Sequence, residues 1–193
     1  MGQPALVVSL LIAAGLIACT DRGSSNDTTA DVHVMNFDTA RVRLATTRDT
    51  LRLNLELAIT PQQKTMGLME RHHLPSDAGM LFVYDSMQPP DAGFWMFRTR
   101  VPLDIAFLDS TGVVRSIRTM EPCAATLAQG CPTYTPDVPY RYALEVNAGY
   151  FKQHGVDVGS RVVLSDLPST VIRRASSFES DDGGLYSGHY AGH

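Results

Sequence analysis

Polar and apolar residues alternate along most of the middle of the chain. Thr50 to Ile59 reads TLRLNLELAI, with Leu51, Leu53, Leu55 and Leu57 on one side and Arg52, Asn54 and Glu56 on the other. That is the period of a half-buried strand. Val42 to Ala45 predicts its partner, joined as a hairpin across Thr46-Thr47-Arg48-Asp49. The pattern then changes. Thr60 takes the N-cap place of a short helix, Pro61 its first position and Gln63 the capping-box position, with Met66 and Met69 expected to face inward. Strands resume in MLFVYD, GFWMF and LDIAFLD, the last turning through Ser110-Thr111-Gly112 into VVRSIRTM. YRYALEVN alternates once more, and a helical turn from Ala148 to His154 stops at Gly155, which suits a left-handed C-cap. Arg161 to Leu164 closes the series. About eight strands with one or two short helices predict an all-β fold, a compact sandwich or barrel.

The ends of the chain read differently. Leu6 to Ala18 is apolar apart from Ser9, too short to span a bilayer comfortably, and fits the apolar core of a signal peptide over residues 1–18. It ends in Leu16-Ile17-Ala18-Cys19, which resembles the lipobox of bacterial lipoproteins. That resemblance implies cleavage before Cys19 and lipid on its new N-terminus, although Met1 to Ala5 lacks the usual Lys or Arg. The expected location is the cell envelope, outside the cytoplasm and lipid-anchored; the alternative is an ordinary secreted protein. Residues 19–40 read as the lipidated cysteine and a polar linker, 41–167 as the β-domain, and 168–193, rich in Ser, Gly and Asp, as a disordered tail.

Charge and cysteine count narrow the partners. The formal net charge is −4 and the basic residues are scattered, which argues against nucleic acid. With Cys19 given to lipid, Cys123 and Cys131 remain as an even pair in an oxidising compartment, and a disulfide across CAATLAQGC is expected. Zinc or free thiols are the alternatives, but zinc wants about four ligands and this spacing matches no finger pattern.

Motifs for catalysis are missing. The chain has no nucleophile elbow, phosphate-cradling glycine loop, HExxH or paired-cysteine zinc signature, and nothing calls for a cofactor or metal. His72-His73 reads as a solvated loop, since adjacent histidines diverge in most backbone conformations. What stands out is a polar set inside apparent strands: Arg71, Arg98, Arg100, Asp104, Arg141, Glu145 and Asn147, with Trp95 and Met96 beside them. Asp104 interrupts the apolar run Leu103 to Leu108, and Glu145 lies between Leu144 and Val146. Carboxylates in such places are costly unless paired, so the arginines are expected as partners. Two readings follow: a buried ion-pair network holding one end of a barrel, or a polar pocket with an aromatic wall that binds a small molecule.

GLMERHHLPSDAGMLFVYD, FWMFRTRVPLDIAFLDSTGVV, MEPC with CPTYTP, and RYALEVNAGYFKQHGVDVGSRV together resemble the domain of unknown function 192 family, from about Leu51 to Leu164. The resemblance implies an all-β fold, often behind a signal sequence, with no assigned activity. Trp95, Met96, Thr99, Asp104 and Glu145 fall on its signature positions. The chain departs where the family usually has Lys-Asn and this sequence has Phe97 and Arg98. The ligand-binding candidates are therefore Trp95, Met96, Arg98, Thr99, Asp104, Arg71, Arg141 and Glu145. The expected function is a membrane-tethered, extracytoplasmic β-domain that binds a small molecule or envelope component without catalysis. The rivals are a hydrolase using Asp104 and Glu145 as a carboxylate pair, and a protein-interaction module.

Overall fold

A computed structural model describes residues 35–176 and, outside that span, Gly2. The segment read as a signal peptide (apart from Gly2), Cys19, and most of the segments read as linker and tail lie outside the described residues. Strands β1 (Asp38–Ala45) and β2 (Thr50–Ala58) precede helix α1 (Pro61–Met66). Then come β3 (Ala78–Gln88), β4 (Phe94–Trp95), β5 (Leu103–Leu108), β6 (Val114–Met120), β7 (Thr133–Tyr134) and β8 (Tyr140–Asn147). Helix α2 (Tyr150–His154), β9 (Arg161–Val162) and α3 (Ser169–Ser176) complete the order. The fold is all-β.

Seven strands form one curled sheet in the order β6-β5-β8-β3-β2-β1-β9, while β4 and β7 make a separate ladder. The pairings are antiparallel except β2 with β3, whose crossover carries α1. The two ends of the sheet meet. Val162 N–H donates to Gly112 O at 2.9 Å and Val114 N–H to Ser160 O at 2.8 Å, so the sheet closes as a barrel. Gly112 is required at that seam: it sits at φ +82°, and a Cβ there would lie 2.5 Å from Val162 O.

Alternating residues fill two cores. Leu53, Leu55 and Leu57 of β2, Ala106 and Leu108 of β5, and Leu144 and Val146 of β8 point into the barrel, with Phe151 of α2 and Val171 of α3 packed against them. The other faces of β3, β5 and β8 carry Met80, Phe82, Leu103, Ile105, Phe107 and Ala143, covered by Met96 and the loop residues Leu68 and Leu74. Both faces of β5 are thus buried, which is why its sequence is a continuous apolar run rather than an alternation.

Several local expectations hold. The β1–β2 hairpin pairs Ala45 with Thr50, and Thr60 and Gln63 form the reciprocal capping box of α1. Gly155 ends α2 at φ +64°. Others need correction. Met66 is exposed, because α1 is a single short turn-and-a-half on the surface and Leu68 beyond it makes the inward contact. Strand β1 begins at Asp38, inside the segment read as linker, because its register with β2 runs back to Leu57. Helix α3 occupies the start of the segment read as tail, and Val171 anchors it in the barrel core. Composition over 168–193 hides that one apolar contact.

Candidate functional site

The two strand acids were expected to find arginines, and among the described residues neither does. Asp104 is buried on the barrel side of β5, where Thr119 Oγ1 donates to its Oδ1 at 2.8 Å and the backbone N–H of Phe151, in the first turn of α2, donates to its Oδ2 at 3.4 Å. Short neutral donors thus satisfy it. Glu145 is buried on the opposite side of the sheet, beside Met80 of β3 and Ile105 of β5 in the register. Among the described residues its carboxyl makes no side-chain hydrogen bond or ion pair, and burial pushes it up to about 8. The register pairs Asp104 with Val146 and Ile105 with Glu145. Residues directly opposite share a face and successive residues alternate, so the two carboxyls face away from each other through the sheet. They cannot flank one substrate, which removes the carboxylate-pair hydrolase.

The arginines pair elsewhere. Arg71 makes two 2.6 Å hydrogen bonds to Glu56, and Arg141 donates from Nε to Tyr84 O at 2.8 Å. Arg98 and Arg100 converge on Glu70: Arg98 Nε donates to Oε1 at 2.6 Å, Arg100 Nε to Oε2 at 2.7 Å, and Arg100 Nη2 to the same Oε2. These hydrogen bonds hold the Glu70 carboxyl below the usual carboxylate range. The expected buried ion-pair network is therefore replaced by separate pairs nearer the surface.

Glu70 and Arg98 share a second bond, from Glu70 N–H to Arg98 O at 2.8 Å. Both adopt the left-handed backbone region, at φ +60° and +56°. For residues other than glycine this is uncommon and costs roughly 1–2 kcal/mol. Arg98 reaches it because Thr99 N–H bonds back to Met96 O at 3.1 Å, closing a turn whose third residue carries the positive φ. Asparagine tolerates this region best among side-chain-bearing residues, so an arginine here depends on the surrounding hydrogen bonds.

This turn forms one wall of a cleft of about 320 Å³ lined by Glu70, Arg98, Thr99, Arg100, Pro122, Cys123 and Ala124. Cys123 is bonded to Cys131, as expected, and its N–H donates to Met96 O at 3.3 Å. The disulfide loop is thereby fixed against the arginine turn. Of the eight candidates from the sequence, the cleft gathers only Arg98 and Thr99. Trp95 is half-buried in the β4–β7 ladder opposite Thr133, Met96 is core, and Arg71, Arg141, Asp104 and Glu145 are dispersed. Glu70 and the Pro122–Ala124 wall were missed. Glu70 is 28 residues from Arg98, and no local pattern marks the pairing. No group of three or more His, Cys, Asp or Glu side chains with metal-holding geometry occurs among the described residues, and His72-His73 belongs to none.

A family model described as "Uncharacterized ACR" matches residues 42–164, the barrel apart from the first half of β1. The chain belongs to the domain of unknown function 192 family. Among solved structures, a DUF192-like fold recurs in a protein of Sinorhizobium meliloti 1021 described as a candidate transcription regulator. It is 36% identical, with a TM-score of 0.59 over 66% of this chain and 95% of that one. A protein of unknown function from Novosphingobium aromaticivorans DSM 12444 is 27% identical, with a TM-score of 0.56 over 67% and 88%. Among curated proteins none matches. Membership in DUF192 thus carries the fold and no reaction.

Proposed function

We propose that this DUF192 protein is a non-catalytic binding domain of the cell envelope, tethered through lipid on Cys19, with its ligand site in the cleft between the arginine turn and the disulfide loop. One observation carries the reading: Arg98 is held in a disfavoured backbone conformation at the mouth of a preformed cleft. Strain of this kind concentrates where a side chain must be presented in a fixed place. The disulfide favours an oxidising compartment. The opposed faces of Asp104 and Glu145 disfavour catalysis. A nucleic-acid partner is disfavoured here by the net charge of −4 and the scattered basic residues.

The test is a small-molecule fragment screen against the isotopically labelled full chain, followed by amide chemical shifts. Fragments that bind should move Thr99, Cys123 and Ala124 together and saturably. If every bound fragment instead perturbs residues remote from this cleft, the site is misplaced.

A further inference from the structure

The cleft offers hydrogen-bond donors that no other described residue uses. Glu70 grips Arg98 by its Nε edge only, and Arg100 by Nε and Nη2. Among the described residues, both terminal nitrogens of Arg98 and Nη1 of Arg100 have no acceptor. Between the two arginines stands Thr99, whose side-chain hydroxyl likewise has no hydrogen-bond partner among the described residues although the residue is only 7% exposed. Three neighbouring side chains therefore bring spare donors to a cleft all three line, and the Thr99 hydroxyl brings free lone pairs as well. Two arginines against one glutamate leave this wall with a net positive charge. The opposite wall is Pro122, Cys123 in its disulfide, and Ala124, which carry no charge.

Donors on one side and an apolar wall on the other define a ligand. A guanidinium is planar and matches two oxygens of a carboxylate at once, while a hydroxyl adds a third donor to a remaining lone pair. The hydrocarbon of a small acid would rest on Pro122, the sulfur of Cys123 and Ala124. A volume of about 320 Å³ accommodates a small organic acid. We propose that the cleft binds a small carboxylic acid through Arg98, Arg100 and the hydroxyl of Thr99. Glu70 is a positioning residue: it fixes the Nε edges so that the unused nitrogens stay in place. This rests on the cleft being the ligand site, as proposed above, and adds the chemical class.

The experiment titrates the labelled full chain with sodium butyrate, the neutral isostere butyramide, inorganic phosphate and sodium chloride at matched ionic strength. The readouts are the Nε–Hε signals of Arg98 and Arg100 and the amides of Thr99 and Ala124. Butyrate should shift all four saturably, with butyramide and phosphate weaker by about tenfold or more. Arg98→Lys and Arg100→Lys keep the charge and lose the planar fork, and each should weaken butyrate by about tenfold while leaving the barrel amides unchanged. Equal binding of butyramide, tighter binding of phosphate, or lysine variants as good as the parent would each overturn the carboxylate assignment. If none of these probes binds but neutral or cationic fragments move the same amides, the class is wrong and the cleft stands. If nothing moves them, both readings fall.

Discussion

Asp104 and Glu145 lie on adjacent strands one register position apart, Asp104 opposite Val146 and Glu145 opposite Ile105, and so bury their carboxyls on opposite faces of one sheet. Asp104 accepts from Thr119 and from the N-terminal turn of α2; Glu145 meets apolar side chains. Similar sequence surroundings thus give two unlike sites, and substitution should separate them.

For Asp104, Asn can preserve both bonds, because its amide can donate to the Thr119 hydroxyl while its oxygen accepts from Phe151 N–H. We expect Asp104→Asn to fold with a loss of about 1 kcal/mol, and Asp104→Ala, which strands both donors, to lose roughly 2–3 kcal/mol. Urea denaturation followed by Trp95, the only tryptophan, measures both. Equal losses in the two variants would mean that Asp104 contributes something other than these hydrogen bonds.

Glu145 should make stability depend on pH in the opposite sense to an ordinary ion-paired acid. Its carboxyl titrates at about 8 in the folded protein against an ordinary value of 4.5. The folded state therefore holds a proton that the unfolded chain releases. Stability from this group is fully present below pH 4.5 and is lost as pH rises from there to about 8. Glu145→Gln removes the titration, so it should gain on the parent by on the order of 3–5 kcal/mol at pH 8 and little at pH 4.5. Denaturation curves that stay parallel across that range would show that Glu145 is not buried as a neutral acid.

The Cys123–Cys131 bond closes a short loop, with a sequence separation of 8. Its chain-entropy contribution is about 2–3 kcal/mol. Cys123→Ser with Cys131→Ser should lower the denaturation midpoint by that amount and broaden the amides of Thr99 and Ala124 while sparing the barrel, since Cys123 N–H ties the loop to Met96 O. Native protein should show no reactive thiol at either position until reduced. Sharp cleft amides in the double variant would mean that the loop holds its shape without the bond.

Cys19 lies outside the described residues, and its role is tested by fractionation. The mature protein should sediment with membranes, and Cys19→Ser should leave an uncleaved precursor or a soluble product. A Cys19→Ser protein processed and localised like the parent would exclude a lipid anchor on that residue.

Local signals in the sequence determine much of this protein. Alternation in Thr50 to Ile59, the Thr60–Gln63 capping box and Gly155 each depend on neighbours within a few residues, where period and capping chemistry decide the outcome. The disulfide was legible from cysteine arithmetic alone. The site was legible only in part: Arg98 stood out as a polar residue beside Trp95 and Met96, and Thr99 only through the family resemblance, while Glu70 and Pro122 to Ala124 did not stand out. Which way Asp104 and Glu145 point depends on the register of β5 against β8, and a single step in register exchanges the faces. Which acid the arginines take depends on a contact between residues 28 and 30 positions apart, made when the loop after α1 packs beside the turn at Arg98. The left-handed backbone at Glu70 and Arg98 has no signature in their residue types; at Arg98 it comes with the turn that Thr99 N–H closes onto Met96 O, and Glu70 N–H bonds to Arg98 O beside it. Short-range physics wrote the strands and their caps into the sequence, and long-range pairing closed the barrel and assembled the cleft.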